Sequence, residues 1–345
     1  MRSRGQRRRL SGSTPYDMNL AMIRPNPCGR LLLPAALLGL ALPGCAEPPR
    51  RPVEPAAGAQ ASGAAPLERA LDHALQRQTW TDLRIDAECR REDELRSAVV
   101  FGSGVGIWNR ERQLVLPREK VVSLLRDFKA AGFPRLHETY GEGEEEVQLV
   151  CRVRLALDGL ARQVIQLATG PQSPELARLA GRILEMAEEA GRSGTEASSL
   201  TDGLEKIARG ELSPELLAIH VLRQSEPPGA ETGWNLSLEG GELSVRRFPS
   251  PANEGPRRSR LPAAELAELA GRLAAARLEE LPVNLWAPEY TDLEIRVLGR
   301  GRALQARQFA GMTPATHGEL QQRFDRLWET LQALRGRLDA GRPSS

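Results

Sequence analysis

The 345-residue chain has 47 Lys and Arg against 45 Asp and Glu, a formal net charge of +2, and 4% aromatic residues. Its first 44 residues hold seven arginines and one acid, Asp17, so the remainder carries a net charge of −4. A nucleic-acid partner needs a basic field on the folded part, and this balance excludes one.

In chain order, the first element is an apolar run, Leu31 to Gly44 (LLLPAALLGLALPG), flanked by Arg24 and Arg30. With fourteen residues and two prolines it falls short of the roughly 20 apolar residues of a membrane-spanning helix, and it reads as the h-region of an export signal. Met18 or Met22 would start a signal of more ordinary length than Met1. The run closes on Leu42-Pro43-Gly44-Cys45, which resembles the lipobox of bacterial lipoproteins. That resemblance implies cleavage before Cys45, acylation of Cys45, and a lipid anchor in the cell envelope, at the outer rather than the inner membrane, with the folded part in the periplasm. Residues 1–44 are then a signal peptide. Residues 45–65, rich in Pro, Ala and Gly, form a disordered tether able to reach several nanometres at up to roughly 3 Å per residue.

The remaining 280 or so residues contain an internal repeat. Leu116–Leu136 and Leu261–Leu281 align at a constant offset of 145: Val121 meets Leu266, Leu124 meets Leu269, Phe128 meets Leu273, Phe133 meets Leu278, Leu136 meets Leu281 and Pro117 meets Pro262. Two strand-like runs precede each helix, 83–89 with 98–108 and 216–222 with 234–248. Two more follow each, 146–157 with 161–168 and 291–299 with 302–310. Helices open the units at Leu67 to Gln78 and Leu200 to Arg209, and close them near Pro174 to Ala190 and Gly318 to Leu338. The expected fold is α+β: two tandem α-β-β-α-β-β-α units, residues 66–192 and 199–338, with small, mainly antiparallel sheets covered by helices on one face. Glu239-Gly240-Gly241 and Asp158-Gly159 supply the hairpin turns.

Ser173-Pro174-Glu175 and Ser213-Pro214-Glu215 each place a capping hydroxyl before a first-turn proline and a carboxylate. The first predicts a full helix, the second a single turn before a strand. Cys89 and Cys151 are the two cysteines left once Cys28 and Cys45 are assigned to the signal and the anchor. In an oxidising compartment they pair as a disulfide joining two strands of the first unit, the alternative being two reduced core thiols.

Little else carries chemistry. Gly102-Ser103-Gly104-Val105-Gly106 has Ile107 where a dinucleotide fingerprint needs glycine and no helix directly after it, so it reads as a glycine-relieved strand. His73, His137, His220 and His317 lack metal or triad spacing. The acidic run at 141–146 lacks the alternating ligands of a calcium loop. No cofactor, metal or catalytic residue is expected. Trp108 and Trp234, on comparable strands of the two units, are either core anchors or a partner-binding face.

The unit itself resembles small bacterial lipoprotein domains of unknown function and emfourin, a protein inhibitor of thermolysin-like metallopeptidases. Its carriers are Gly240-Gly241, Leu261-Pro262 with Glu265, Leu278 with Leu281, and the Thr291 to Val297 strand. The resemblance implies a non-catalytic module that binds a protein or peptide, in its sharpest form restraining an exported peptidase. The rival expectation is an enzyme acting on an envelope polymer, with Asp86, Glu88 or Asp292 converging in three dimensions.

Overall fold

Each half of the sequence builds one seven-stranded sheet with three helices on one face. In the first half the elements are α1 (Ala61–Arg77), β1 (Arg84–Arg91), β2 (Glu94–Phe101), β3 (Val105–Trp108), β4 (Arg112–Val115), α2 (Arg118–Ala130), β5 (Thr139–Tyr140), β6 (Leu149–Leu157), β7 (Leu160–Leu167) and α3 (Pro174–Gly191). The second half repeats the order with α4 (Leu200–Ala208), β8 (Leu217–Gln224), β9 (Gly233–Glu239), β10 (Glu242–Phe248), β11 (Arg257–Arg260), α5 (Ala263–Ala275), β12 (Asn284–Trp286), β13 (Tyr290–Val297), β14 (Arg300–Arg307) and α6 (Glu319–Ala340). The computed structural model describes residues 61–91, 94–143, 145, 149–224, 233–248 and 255–340. Cys45, the signal at 1–44 and the tether up to residue 60 lie outside them.

The strand orders are β4-β3-β2-β1-β6-β7-β5 and β11-β10-β9-β8-β13-β14-β12, the same path traced twice. All pairings are antiparallel except β5 with β7 and β12 with β14. The fold is therefore α+β and duplicated, with seven strands per unit where the sequence suggested four. The run 98–108 is two strands joined by a turn at Gly102-Ser103-Gly104, and 234–248 likewise turns at Gly240-Gly241. Gly104 (φ 87°) and Gly241 (φ 80°) are equivalent, and each accepts a backbone bond at its carbonyl, from Leu116 N–H (2.8 Å) and Leu261 N–H (2.9 Å). The glycine-relieved single strand expected at 102–106 is corrected to this turn: a left-handed φ ends the strand, and a Cβ on Gly104 would lie 2.1 Å from the Leu116 carbonyl oxygen.

The repeat is obeyed in detail. Pro117 and Pro262 immediately precede α2 and α5, at φ −58° and −59°. After each helix Gly132 and Arg277 take the left-handed conformation and open a short 3-10 turn. Arg162 donates to the Leu136 carbonyl and Arg302 to that of Leu281, pinning the chain leaving the turn to β7 and β14. The first half buries Val121, Leu124, Phe128, Phe133, Leu155 and Ile183, and the second Leu266, Leu273, Leu278, Ile295, Leu304 and Leu331. Burial of each such side chain contributes roughly 1.5–3 kcal/mol, so this one-sided core holds each sheet to its helices.

Helix α1 begins at Ala61, so the last five residues of the expected tether belong to its first turns. Ser173 caps α3 by accepting from Leu176 N–H at 3.2 Å. Ser213 makes no side-chain cap and precedes only a 3-10 turn, 214–216, before β8. Cys89 and Cys151 stand directly opposite each other on β1 and β6, with Cα atoms 4.1 Å apart, and form a disulfide.

The described residues of both repeats belong to one compact unit, so the repeats pack together. A buried ring and the linker are among the features that join them. Phe101, at the end of β2, is buried in the core of the second repeat. The linker then runs along the outer edge of β4: Gln113 N–H donates to Thr195 O (2.9 Å), Arg112 bridges antiparallel to Glu196, and their side chains pair at 2.5 Å. Gly194 allows this approach, since a Cβ there would lie 1.9 Å from the Gln113 carbonyl oxygen. The next linker residue, Ala197, is buried in the second core.

Candidate functional site

Alternation on β1 turns Ile85 and Ala87 towards the helices and leaves Arg84, Asp86 and Glu88 on the opposite face. On β8 and β9 the same rule presents His220, Ser237 and Glu239 on the face away from the second core. These polar faces meet at the junction of the repeats. Arg84 Nε donates to Asp86 at 2.9 and 3.1 Å, and its guanidinium also pairs with Glu239. His220 Nε2 lies 3.0 Å from Glu239 Oε1, an acceptor that calls for a proton on Nε2, and its Nδ1 lies 3.3 Å from Ser237 Oγ.

The two carboxyls shift in opposite directions. Desolvation raises the Asp86 pKa, with the adjoining Arg84 opposing the rise. Desolvation also acts upward on Glu239, but the hydrogen bond from His220 and the charge of Arg84 outweigh it and hold the carboxyl at about 2. The pairs leave Glu239 ionised and fully engaged, a geometry suited to fixing the two repeats rather than to proton transfer.

Two clefts share the Arg84, Phe101, Glu239 and Gly240 wall. One, of about 390 Å³, runs past Val99, Ile107 and Arg296. The other, of about 260 Å³, contains a second acidic pair, Asp82 from the first repeat and Glu242 from β10. Burial raises the Glu242 pKa, as does its hydrogen bond with Asp82, and Arg258 lies 3.4 Å from Glu242 and 3.8 Å from Asp82.

The structure divides the three acids singled out from sequence between the two sheets, with Asp86 and Glu88 on one face of β1. Asp86 is in the junction. Glu88 pairs with Arg110 (3.1 Å) and Arg152 (3.0 Å), and Asp292 lies on β13, its pKa raised by burial and by Glu294. Of the two readings of Trp108 and Trp234, the structure gives core anchors and not a partner-binding face. Trp108 is buried in the first core against Gly191, and Trp234 in the second, stacked on Trp328 at 5.7 Å. Both strands turn these positions inward, towards the helices. Sequence reasoning named His220 without a role and Glu239 only as a turn residue, and it did not single out Arg84, Asp82 or Glu242; the signal that could have found Arg84 and Glu239 is the polar side chain at every second position of β1 and β9.

Among the described residues no group of three or more His, Cys, Asp or Glu is placed to hold a metal ion, and no helix is long and apolar enough to cross a membrane. No protein-family model and no curated protein matches the sequence.

Proposed function

We propose that this is a lipid-anchored envelope protein whose paired α+β repeats bind a partner protein or peptide without catalysing a reaction, and in the sharpest form restrain an exported peptidase. The observation that carries this reading is the seat of Thr195 and Glu196 on β4: an edge of this sheet takes an extended segment through a backbone hydrogen bond, an antiparallel bridge and one ion pair. Strand addition of the same kind is a general route to peptide recognition. The Cys89–Cys151 bond supports an oxidising location, where the anchor at Cys45 would hold the protein.

The test is affinity capture with the immobilised full chain in envelope extract. The reading expects the same protein in repeated captures; reproducible absence of any retained protein overturns it. For the anchor, labelled fatty acid enters the wild type and not Cys45→Ala, whereas equal labelling refutes it.

The enzyme reading has one observation in its favour, the contact of Asp82 with Glu242 in its cleft, since a carboxyl whose pKa is raised beside a second carboxyl is a common acid–base device. Arg258 beside both acids and a volume below the roughly 300–1,000 Å³ of small-molecule sites weigh against it. Release of soluble fragments from isolated envelope polymer by the wild type, abolished in Glu242→Gln, would establish it.

A further inference from the structure

We infer that the larger of the two junction clefts, about 390 Å³, is a binding site for a small, uncharged apolar molecule. This site adds to the partner binding proposed above and does not depend on it.

The duplication supplies a built-in comparison. Val99 lies between Asp86 and Ile107 across the strands, and Ser237 lies likewise between His220 and Ser244, so Val99 corresponds to Ser237 and Ile107 to Ser244. Val100 faces Ile85 and Leu238 faces Ile219, which makes the next residues, Phe101 and Glu239, equivalent. Arg84 opposite Ala156 matches Ala218 opposite Arg296, each facing a strand that runs into a turn at a left-handed residue, Asp158 (φ 51°) or Leu298 (φ 54°). Asp82 and Leu216, two residues earlier, correspond in turn. The junction is therefore two-fold in pattern: each cleft is walled by the strand start of one repeat and the hairpin of the other, with the Arg84–Glu239 pair between them.

On this shared backbone the two clefts differ in chemistry. The smaller takes Asp82, Arg84, Ser237, Glu239 and Ser244. The larger takes Leu216, Ala218, Val99, Phe101 and Ile107 at the same five positions, and Leu298 joins them. The fold accepts polar groups at these outward strand positions, so the apolar set is a property of this cleft and not a demand of packing. Val99, Ile107 and Ala218 stay half-buried, leaving apolar surface that an occupant would remove from water.

Size and charge select that occupant. The volume falls within the roughly 300–1,000 Å³ of small-molecule sites, and since a cavity of ~150 Å³ takes one benzene, it suits about ten to fifteen non-hydrogen atoms. Every charged side chain in the lining already has a partner: Arg84 and Glu239 have each other, Arg110 has Glu88, Glu215 has Arg260 and Arg296 has Glu294. A charged ligand would break one of these pairs and strand a charge, whereas a neutral one leaves them intact.

The test titrates 1-naphthol, neutral at pH 7, into the full chain and follows the Ile107 δ1 methyl by NMR, with naphthalene-1-sulfonate as the charged control. The expected result is a saturable shift of that methyl with a single molecule bound per chain, the sulfonate binding about tenfold more weakly or worse. Ala218→Leu fills the cleft with apolar volume and should weaken naphthol binding by about tenfold or more. Val99→Ser with Ile107→Ser gives the cleft the side chains of its counterpart and should weaken it to a similar extent. Ser244→Ala, in the smaller cleft, should leave binding unchanged. Ala218→Leu keeps the lining apolar, so it remains decisive if the double-serine protein fails to fold; its thermal transition should stay within about 5 °C of the wild type. No saturable shift up to the solubility of naphthol, equal binding of the sulfonate, or wild-type binding by Ala218→Leu overturns the inference.

Discussion

Arg84 of the first repeat and Glu239 of the second form an ion pair across the junction, each with a neighbour that completes it, Asp86 on one side and His220 on the other. Their side chains are 26% and 32% exposed, between the surface pairs that contribute little and the buried pairs whose disruption is severe. Arg84→Met leaves two carboxylates without their cation, so it should cost about 2–3 kcal/mol, less than the 3–5 of a fully buried pair. Glu239→Gln retains the shape and should cost about 1 kcal/mol. Urea unfolding measures both; a loss below 0.5 kcal/mol for Arg84→Met, about the scale of an exposed pair, would show that the pair does not hold the repeats together.

The same junction gives stability two opposing dependences on pH. Glu239, held at about 2 in the folded protein against 4.5 ordinarily, contributes stability that is complete above pH 4.5 and is lost as the pH falls towards 2. Glu242 is raised, so the folded state binds its proton more tightly than the unfolded chain, and this group lowers stability as the pH rises through and above the ordinary carboxylate range. Glu242→Gln should therefore be more stable than wild type at pH 7, with the difference vanishing near pH 3, where both side chains are neutral. Thermal unfolding of the two proteins across that range is the measurement. A Glu242→Gln protein less stable than wild type at pH 7 would mean that the contact with Arg258 outweighs the proximity of Asp82.

Much of one repeat was legible in sequence, because burial imposes a period. The 145-residue offset holds from Pro117 and Pro262 through Leu136 and Leu281, and both closing helices start where the sequence placed them to within one residue. The missed strands lack that signal. Arg257–Arg260 has no apolar alternation because it is an edge, and β5 is only two residues long. Arg277 takes the conformation that Gly132 takes in the first repeat, which no glycine announced. The junction was illegible for a deeper reason. Arg84, Asp86 and Glu239 look like any polar strand face, and sequence does not say whether such a face meets water or its twin.

The disulfide closes a loop of 62 residues between directly paired strands. Loop-closure entropy assigns such a link about 4 kcal/mol. Reduction, or Cys89→Ala with Cys151→Ala, should lower the urea midpoint of the wild type substantially, while the double variant should be indifferent to reductant. A wild-type midpoint unchanged by reductant would show that the bond contributes nothing in solution.

Phe101 makes the second repeat depend on the first. It is 8% exposed, and its ring packs against Gly240, whose φ of 58° and position leave no room for a side chain: a Cβ there would lie 2.7 Å from Phe101 Cδ1. Phe101→Ala should cost about 3–4 kcal/mol, in the range for truncating a buried phenylalanine. Gly240→Ala should cost about 1–2 kcal/mol through backbone strain and overpacking, part of which Phe101→Leu restores. A fragment of residues 199–340 lacks Phe101 and exposes the apolar surface it covers, so its urea midpoint should fall below that of the same repeat within the full chain. Equal midpoints would mean that the repeats are independent domains joined only by proximity, and that the junction residues are an ordinary solvated face.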